Sequence, residues 1–401
     1  MITEVAKIIR GLSVDAIEKA NSGHPGLPLG CADIGAVLFG EVLKYDPEKP
    51  DWLNRDRFVL SAGHGSIMLY VLLHLSGYAI TLEDIKNFRQ VGSITPGHPE
   101  YGLTPGVEAT TGPLGQGFAN GVGMALAERI LAQKYNKEDF DIINHYTYVL
   151  ASDGCMMEGI TSEAASLAGH WGLEKLVVVY DKNQVSLSGS TELTFTESVA
   201  DRFRAYNWQV IDKVNGHDID EIRTALMKAK EKNGKPVLII AETHIGYGAP
   251  TKQDSYTSHG APLGSEEVTG LKKKLGLPLD KTFYISDTVR EYFQVKKSNL
   301  LKERQQWEEK YSRWSEKYPE ERAQLEKALN LEIPKKMDFW DLDIDEKIAT
   351  RSASGEILNN AAEEVPYLVG GSADLDPSTM TYLSKFSEIQ KGCYNGRNIR
   401  F

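Results

Sequence analysis

The chain has 401 residues, of which 41% are hydrophobic and 25% are charged, as is ordinary for a globular protein. Its formal net charge of −11 argues against a nucleic-acid-binding face, because contact with a phosphate backbone needs a basic surface. The three cysteines, Cys31, Cys155 and Cys393, have no close spacing. They exclude a disulfide framework and a CxxC zinc site, and favour a reducing compartment.

The first twenty residues predict an amphipathic helix and not a targeting signal. Apolar residues recur at helical spacing between Met1 and Ala20, and Lys7, Arg10 and Asp15 interrupt them. No run of the sequence approaches the roughly 18 apolar residues that a membrane-spanning helix needs. We therefore expect a cytoplasmic protein without a membrane segment.

Four short apolar runs in the middle of the chain predict buried strands. Helical patterns lie between them at Gly159–Trp171 and Asp218–Lys232, and a glycine-rich entry to a long helix precedes them at Gly112–Tyr135. Alternating strands and helices predict an α/β fold in which helices flank a parallel β-sheet. The four runs are Thr147–Ser152, Leu176–Asp181, Trp208–Val214 and Pro236–Thr243.

The last quarter of the sequence changes in composition. Residues 298–345 are rich in charge and predict a helical linker, with one helix over Ser298–Leu329. Residues 346–401 predict an incomplete second α/β domain that starts with a helix at Ile348–Ala362 and a strand at Tyr367–Gly371. Aromatic residues of the linker predict either a partner-binding seam or, as we prefer, packing on its own domain. These residues are Trp307, Tyr311, Trp314 and Tyr318.

Polar residues stand directly after two of the predicted strands. Asp153 follows the first strand, and Asn183 follows the second. Because ligands bind beyond the carboxyl ends of parallel strands, we expect these side chains to converge on one site. Mg²⁺ prefers oxygen ligands, and Gly154 leaves room for a phosphate to approach backbone N–H groups. A turn would explain Asp153 and Gly154 alone, but their pairing with Asn183 favours a metal and phosphate site.

Several segments resemble signatures of the transketolase family. The stretch from Ser152 to Asn183 is similar to the thiamine diphosphate motif, which opens with Gly-Asp-Gly and closes with Asn. Ser152 replaces the first glycine, and Lys182 stands where an acidic or amide residue is common, but neither change removes a ligand. The resemblance runs in family order along the whole chain. Its other segments are Ser22–Gly26, Ser61–Gly65, Pro96–Glu100, Gly112–Gly117 and Ser258–Pro262.

The resemblance implies a thiamine diphosphate-binding fold with three parts. Residues 1–297 would form the diphosphate (PP) domain, residues 298–345 the linker, and residues 346–401 the start of the pyrimidine (Pyr) domain. It also implies that Asp153, Asn183 and the carbonyl of Val185 bind Mg²⁺ or Ca²⁺. The residues that it places on thiamine diphosphate are His64, Gly112, Leu114, Asp153, Gly154, Asn183 and His259.

Five of the nine histidines lie in glycine- or proline-rich loops. Such a cluster can donate hydrogen bonds to a sugar phosphate and move protons near neutral pH. The resemblance implies that His24, His98 and His259 are catalytic and bind the sugar phosphate. It also implies that Arg351 and Ser378 bind the substrate's phosphate, which the planar guanidinium fork suits. We interpret His74 and His145 as structural. His170 and His244 stay unassigned.

The family's reaction transfers a two-carbon ketol unit from a ketose phosphate to an aldose phosphate in the pentose phosphate pathway. In the family, a Glu of the pyrimidine domain of the other subunit of a homodimer activates the cofactor. Its motif follows a Gly-Arg-x-Ile-x-Phe segment, which here is Gly396–Phe401. We therefore expect the 401 residues alone to have negligible transfer activity.

Three interpretations stay open at this point. The chain is the front part of a transketolase, or one subunit of a split enzyme that needs a complementary C-terminal chain. A third interpretation is a non-catalytic protein that binds thiamine diphosphate or dimerises. A reading frame that continues into Gly-x-Arg-Glu would support the first, and a neighbouring gene for the missing half would support the second.

Overall fold

The computed structural model describes residues 1–333 and 347–401. The chain divides into two compact units, the first with residues 1–126 and 145–305, the second with residues 127–144 and 306–401. The domain boundaries expected at residues 297 and 345 stay predictions, and the part of the predicted linker from 334 to 345 lies outside the described residues.

Helices account for much of the described chain, and one of them confirms the amphipathic helix predicted at the N-terminus. None of the described helices is both long and apolar enough to cross a membrane. Short turns of 3₁₀- or π-helix occur at Leu38–Val42, Gly63–Gly65, Thr191–Leu193 and Tyr256–Ser258. The α-helices are α1 (Ile2–Ala20), α2 (Gly26–Gly30), α3 (Ala32–Val37), α4 (Ser66–Ser76), α5 (Leu82–Lys86), α6 (Gln116–Tyr135), α7 (Asp153–Met157), α8 (Gly159–Trp171), α9 (Val199–Ala205), α10 (Ile219–Lys228), α11 (Ser265–Leu275), α12 (Asp287–Lys317), α13 (Pro319–Leu329), α14 (Thr350–Glu364) and α15 (Asp376–Thr379).

The first unit is built on a five-stranded sheet with the order β1-β2-β3-β7-β6, in which every neighbouring pair is parallel. This confirms the predicted α/β class. A two-stranded antiparallel pair and a two-stranded parallel pair complete the described strands. The strands are β1 (Arg57–Leu60), β2 (Thr147–Ser152), β3 (Leu176–Lys182), β4 (Val185–Ser186), β5 (Gly189–Ser190), β6 (Gln209–Asn215), β7 (Val237–Glu242), β8 (Gly370–Ser372) and β9 (Asn398–Arg400).

The central strands are buried along nearly their whole length, as their sequences predict. All six residues of β2 are buried, and so are the first six of β3 and the first five of β7. Apolar residues stand opposite each other in the register, for example Val149 opposite Val178. Strands covered on both faces need apolar side chains on both sides, which explains their unbroken apolar runs.

Strand β1 has no counterpart among the predicted strands. It has only four residues and lies at one edge of the sheet, paired with β2 through Leu60 and Leu150. Four residues are too few to show a period, so this strand is below the reach of pattern analysis. Its position matters because the chain continues from Leu60 directly towards His64.

The prediction of a single helix over Ser298–Leu329 is wrong in its start and in its continuity. Helix α12 begins earlier, at Asp287, and ends at Lys317, and α13 begins at Pro319. Proline has no N–H and restricts the residue before it, so Tyr318 leaves the helical conformation and Pro319 opens the next helix.

Aromatic residues of α12 pack inside the second unit. Trp314 is fully buried, and its ring centroid lies 6.5 Å from that of Tyr135. Trp307 donates its indole N–H to the carbonyl of Ile142 at 2.8 Å. These contacts favour the interpretation that the seam packs on its own unit. The helix and strand predicted near the C-terminus occur as α14 and β8, with their ends shifted by one to three residues.

Candidate functional site

The carboxyl ends of β1, β2 and β3 bring three predicted site residues to one edge of the sheet. His64 lies in the 3₁₀ turn Gly63–Gly65 shortly after β1, Asp153 follows β2 directly, and Asn183 follows β3 directly. Parallel strands point their ends the same way, so loops far apart in sequence become neighbours there. This edge of the first unit is the candidate site.

Asp153 is held by three donors. Its Oδ1 accepts a hydrogen bond from the phenol of Tyr180 at 2.5 Å, and its Oδ2 accepts from the backbone N–H groups of Asn183 at 3.1 Å and Gln184 at 2.9 Å. The side chain is buried, and burial raises the pKa of the Asp153 carboxyl although these donors act to lower it. The carboxylate is therefore fixed in place and poorly compensated by protein charge.

Asn183 has an orientation that its neighbours define. Its Nδ2 donates to Oδ2 of Asp181 at 2.9 Å, and its Oδ1 accepts from the backbone N–H of Val185 at 3.0 Å. A carboxylate acceptor on one side and an N–H donor on the other leave only one choice for the amide. The Asp181 carboxyl is fully buried, and burial raises its pKa to about 6.

The oxygen atoms at this site are ligands that suit a hard divalent cation. A carboxylate, an amide oxygen and a backbone carbonyl are ligands that Mg²⁺ and Ca²⁺ accept. Within residues 1–333 and 347–401, no group of three or more His, Cys, Asp or Glu side chains is arranged to hold a metal ion. The predicted set of Asp153, Asn183 and Val185 has only one such side chain, and would leave most coordination positions to the ligand and water.

Two cavities open beside these residues. Asp153 and Tyr180 line one of about 420 Å³, and Asn183 and Val185 line another of about 620 Å³. Lys182, Gln184 and Glu242 line both cavities. Asp153 on one side, and Asn183 and Val185 on the other, therefore line two cavities that share part of their walls.

Glycines allow close approaches around the site. A Cβ at Gly154 would lie 2.7 Å from Cδ1 of Leu114, so these two predicted cofactor-binding residues are neighbours. A Cβ at Gly63 would lie 2.8 Å from the backbone nitrogen of Gly112, and a Cβ at Gly112 would lie 3.3 Å from Cδ2 of His98. Residues predicted on the cofactor and on the sugar therefore line adjoining surfaces.

Four of the predicted histidines form one cluster. The ring of His24 has its centroid 5.2 Å from that of His64, 6.3 Å from that of His98 and 6.0 Å from that of His259. His64 and His259 stack with centroids 5.0 Å apart. The structure thus unites side chains from four loops that the sequence separates by up to about 235 residues.

The cluster is neutral at physiological pH. Burial, together with the charge of Arg89 and the neighbouring histidines, lowers the pKa of His24 to about 4. Burial also lowers the pKa of His64, His98 and His259 below the ordinary value. In this state each ring offers one N–H donor and one lone pair. The Nδ1 atom of His259 is buried without a hydrogen-bond partner among the described residues.

Arg89 belongs to this cluster, although sequence patterns give no sign of it. Its guanidinium donates from Nη1 to Oγ of Ser22 at 2.9 Å and lies with Nη2 3.2 Å from Nδ1 of His24. It is a lone arginine between Phe88 and Gln90, outside every segment that carries the family resemblance. Nothing short of the folded structure would have placed it in the site.

The other predicted residues are not part of the histidine cluster, although His244 lines the same cavity as Asn183 and Val185. Nδ1 of His74 lies 2.7 Å from the carbonyl oxygen of Ile80, and His145 is buried. His244 lies 2.9 Å from Asp254 through its Nδ1. Two predicted substrate ligands belong to the second unit, where both are exposed: Arg351 in the first turn of α14 and Ser378 in α15. Their role stays a prediction.

Comparison with known proteins gives a consistent answer. Residues 2–334 match the sequence model of a family described as "Transketolase, thiamine diphosphate binding domain". A transketolase of Aquifex aeolicus is 48% identical over 404 residues, which cover 99% of this chain and 57% of that protein. The chloroplastic transketolase of Zea mays is 49% identical over 410 residues, covering 100% of this chain and 60% of the relative.

Solved structures agree with the sequence comparisons. Transketolase from Leishmania mexicana superposes with a TM-score of 0.96 at 44% identity, over 100% of this chain and 60% of that one. A Pichia stipitis transketolase in complex with sedoheptulose 7-phosphate gives a TM-score of 0.95 at 42% identity, with the same coverage. The chain spans somewhat more than half the length of these relatives. It belongs to the transketolase family, of which it matches the thiamine diphosphate-binding domain.

Proposed function

We propose that this chain binds thiamine diphosphate by its diphosphate, through a divalent cation, and supplies this half of a transketolase site. The observation that carries the proposal is the buried Asp153 carboxylate, fixed by three donors beside the oriented amide of Asn183. Burial raises the pKa of this carboxyl despite its three hydrogen bonds and the charge of Lys182, and a bound divalent cation would compensate its charge.

The chain's own residues divide the work. Asp153, Asn183 Oδ1 and the carbonyl of Val185 hold Mg²⁺ or Ca²⁺. Gly154 and His64 contact the diphosphate, since Gly154 lies in the first turn of α7, where free N–H groups favour anions. When bound, thiamine diphosphate supplies the carbanion chemistry of two-carbon transfer between a ketose phosphate and an aldose phosphate.

The histidine cluster acts on the sugar phosphate in this proposal. His24, His98 and His259 are neutral, so they donate and accept hydrogen bonds at sugar hydroxyls without the cost of burying charge. Arg351 and Ser378 of the second unit bind the substrate's phosphate. Support comes from the Pichia stipitis relative, which was crystallised with sedoheptulose 7-phosphate.

The biological setting is likewise a proposal. We propose that the protein acts as a homodimer in the cytoplasm, in the pentose phosphate pathway, as expected from the sequence. A complementary C-terminal chain is the alternative partner. The Zea mays relative is named as chloroplastic, so location differs among relatives and has to be measured for this protein.

Calorimetric titration of thiamine diphosphate, with Mg²⁺ and with EDTA, tests the cofactor site. Asp153→Ala and the isosteric Asp153→Asn should weaken cation-dependent binding on the order of a hundredfold or more, because both remove the charged ligand. His24→Ala is the matched comparison and should spare cofactor binding while weakening that of a ketose phosphate. Equal loss of cofactor binding in the Asp153 and His24 variants would show that the assignment of roles is wrong.

A further inference from the structure

Arg89 ties the turn after α1 to the histidine cluster. Its two terminal nitrogens reach two residues of one short segment, with Nη1 2.9 Å from Oγ of Ser22 and Nη2 3.2 Å from Nδ1 of His24. Both atoms belong to one rigid, planar fork. The hydrogen bond from Nη1 to Ser22 therefore also fixes the position of Nη2 beside the imidazole of His24.

The backbone at Arg89 adopts a conformation that suits glycine better than arginine. Its φ angle is 60°, in the left-handed region, and its N–H donates to the carbonyl of Thr95 at 3.0 Å. Residues with a Cβ adopt this region only at a cost, and such costs cluster at functional sites. A side chain whose contacts offset this cost is expected to have a definite task.

The guanidinium of Arg89 also packs closely against its neighbours. A Cβ at Gly97 would lie 3.2 Å from Nε and 3.4 Å from Nη2 of Arg89, so the backbone of Gly97 lies close against the group. The ring of Phe88 lies below it, with Cζ 5.5 Å from the ring centroid. Its Nε is buried without a hydrogen-bond partner among the described residues.

An arginine side chain can only donate hydrogen bonds. The nitrogen of His24 that faces it must therefore present a lone pair, and the single proton of the neutral ring must sit on Nε2. We propose that Arg89 is a positioning residue that holds His24 in the Nε2–H tautomer. The purpose of this arrangement rests on the proposed function, in which His24 meets the sugar; the tautomer itself does not.

The groups around His24 favour the same assignment. Those that act on its ring are Arg89, His64, His98 and His259, and no carboxylate is among the groups that shift its pKa. A proton on Nδ1 would face a cation and would have no acceptor. Nε2 lies on the side of Gly260, where a Cβ would be 3.4 Å away, next to His259. In this tautomer His24 therefore has its N–H donor on the side of Gly260.

The test is the position of the imidazole proton in the ligand-free chain of 401 residues. Neutron crystallography of deuterated protein, or ¹⁵N–¹H correlation of labelled histidine side chains, reports it directly, and His24→Gln identifies the signal. We expect a proton on Nε2 and none on Nδ1 at pH 7.5. A proton on Nδ1 in the wild-type protein would overturn the proposal, whatever the variants do.

Two variants establish the role of Arg89. Arg89→Met keeps the aliphatic stem but removes all donors, so a fraction of His24 should move its proton to Nδ1 and its pKa should rise. Arg89→Lys keeps a donor and should restore the wild-type tautomer. Arg322→Met, at an exposed site on α13, controls for the loss of a positive charge. An unchanged tautomer and pKa in Arg89→Met would overturn the proposal.

Failure of the proposed function would look different. If the wild-type chain does not bind thiamine diphosphate with Mg²⁺, the proposed function fails while the tautomer result stands. If Arg89→Met retains cofactor binding within about threefold but loses the tautomer, both proposals are supported.

Discussion

Gly154 allows the proposed cofactor-binding surface to be tested with a single methyl group. Its ideal Cβ would lie 2.7 Å from the end of the Leu114 side chain, a flexible group that can move aside. Gly154→Ala should therefore fold normally. It should weaken thiamine diphosphate binding about tenfold or more, because the methyl group and the displaced Leu114 occupy the space beside the diphosphate.

The matched control for Gly154 is five residues away. A Cβ at Gly159, the first residue of α8, would meet nothing within 4 Å. Gly159→Ala should leave cofactor affinity within about twofold of wild type. Titration calorimetry of both variants beside thermal unfolding separates binding from stability. Similar affinities for the two variants would remove Gly154 from the cofactor-binding surface.

At the level of single residues, the sequence predicts site residues that directly follow a strand. It does not predict residues that reach the site from a distant part of the chain. Asp153 and Asn183 could be found because each directly follows an apolar run, and strand ends converge in a parallel sheet. Arg89 could not, because its partners Ser22 and His24 are 67 and 65 residues away. The same holds for Tyr180, whose contact with Asp153 depends on how β2 and β3 pair.

Helix α8 approaches the turn after α9 so closely that a glycine is required. A methyl group at Gly169 would overlap the carbonyl oxygen of Tyr206, which is backbone and cannot swing away. Gly169→Ala should therefore lower the free energy of unfolding by about 2–3 kcal/mol, as overpacked cores do. The indole N–H of Trp208, which donates to the carbonyl of Ala165 at 2.8 Å, should lose its geometry as well.

Gly123 in α6 provides the comparison for Gly169. It is also helical, but its Cβ would meet nothing within 4 Å. Gly123→Ala should raise stability by up to about 1 kcal/mol, because alanine favours the helix. Urea denaturation of both variants measures the difference. Equal stabilities would mean that α8 and the turn after α9 can separate at little cost.

Among elements, length decided which could be predicted from sequence. The buried runs of β2, β3 and β7 are long enough to be recognised, and β1, with four residues, is not. The division between α12 and α13 at Pro319 follows a rule that sequence does contain, since proline ends the preceding helix. The sequence is rich in charged residues on both sides of Pro319, so its composition gives no sign of the boundary between the two helices.

The whole molecule should be sensitive to mild acid. Burial lowers the pKa of six histidines below the ordinary value of 6.5, and the unfolded chain therefore takes up protons that the folded chain refuses. Above about pH 6.5 these histidines are neutral in both states and do not affect stability. As the pH falls below 6.5, protonation of the unfolded chain lowers the free energy of unfolding. The six are His24, His64, His74, His98, His145 and His259.

Two carboxyls oppose this trend. The raised pKa of Asp153, and that of Asp181 at about 6, make the folded state take up protons first and add stability as the pH falls towards 4. Six groups outweigh two, so we expect the free energy of unfolding to fall between pH 7 and pH 5. Urea titrations across this range measure it, and the interval from pH 7.5 to 8.5 should be flat. Stability that stays constant down to pH 5 would contradict the burial of the cluster.

The sheet order β1-β2-β3-β7-β6 also has a consequence for how the protein forms. Strand β1 pairs with β2 some 90 residues later, where Asp56 accepts a hydrogen bond from the N–H of Tyr146. Contacts so distant in sequence close large loops before they gain any stabilisation, which makes folding slow. During synthesis β1 stays unpaired until β2 has been made. His24 likewise lacks its neighbour His259 until that residue has been made. The histidine cluster therefore forms only when the first unit is complete, and a folding intermediate without residues near His259 would lack it.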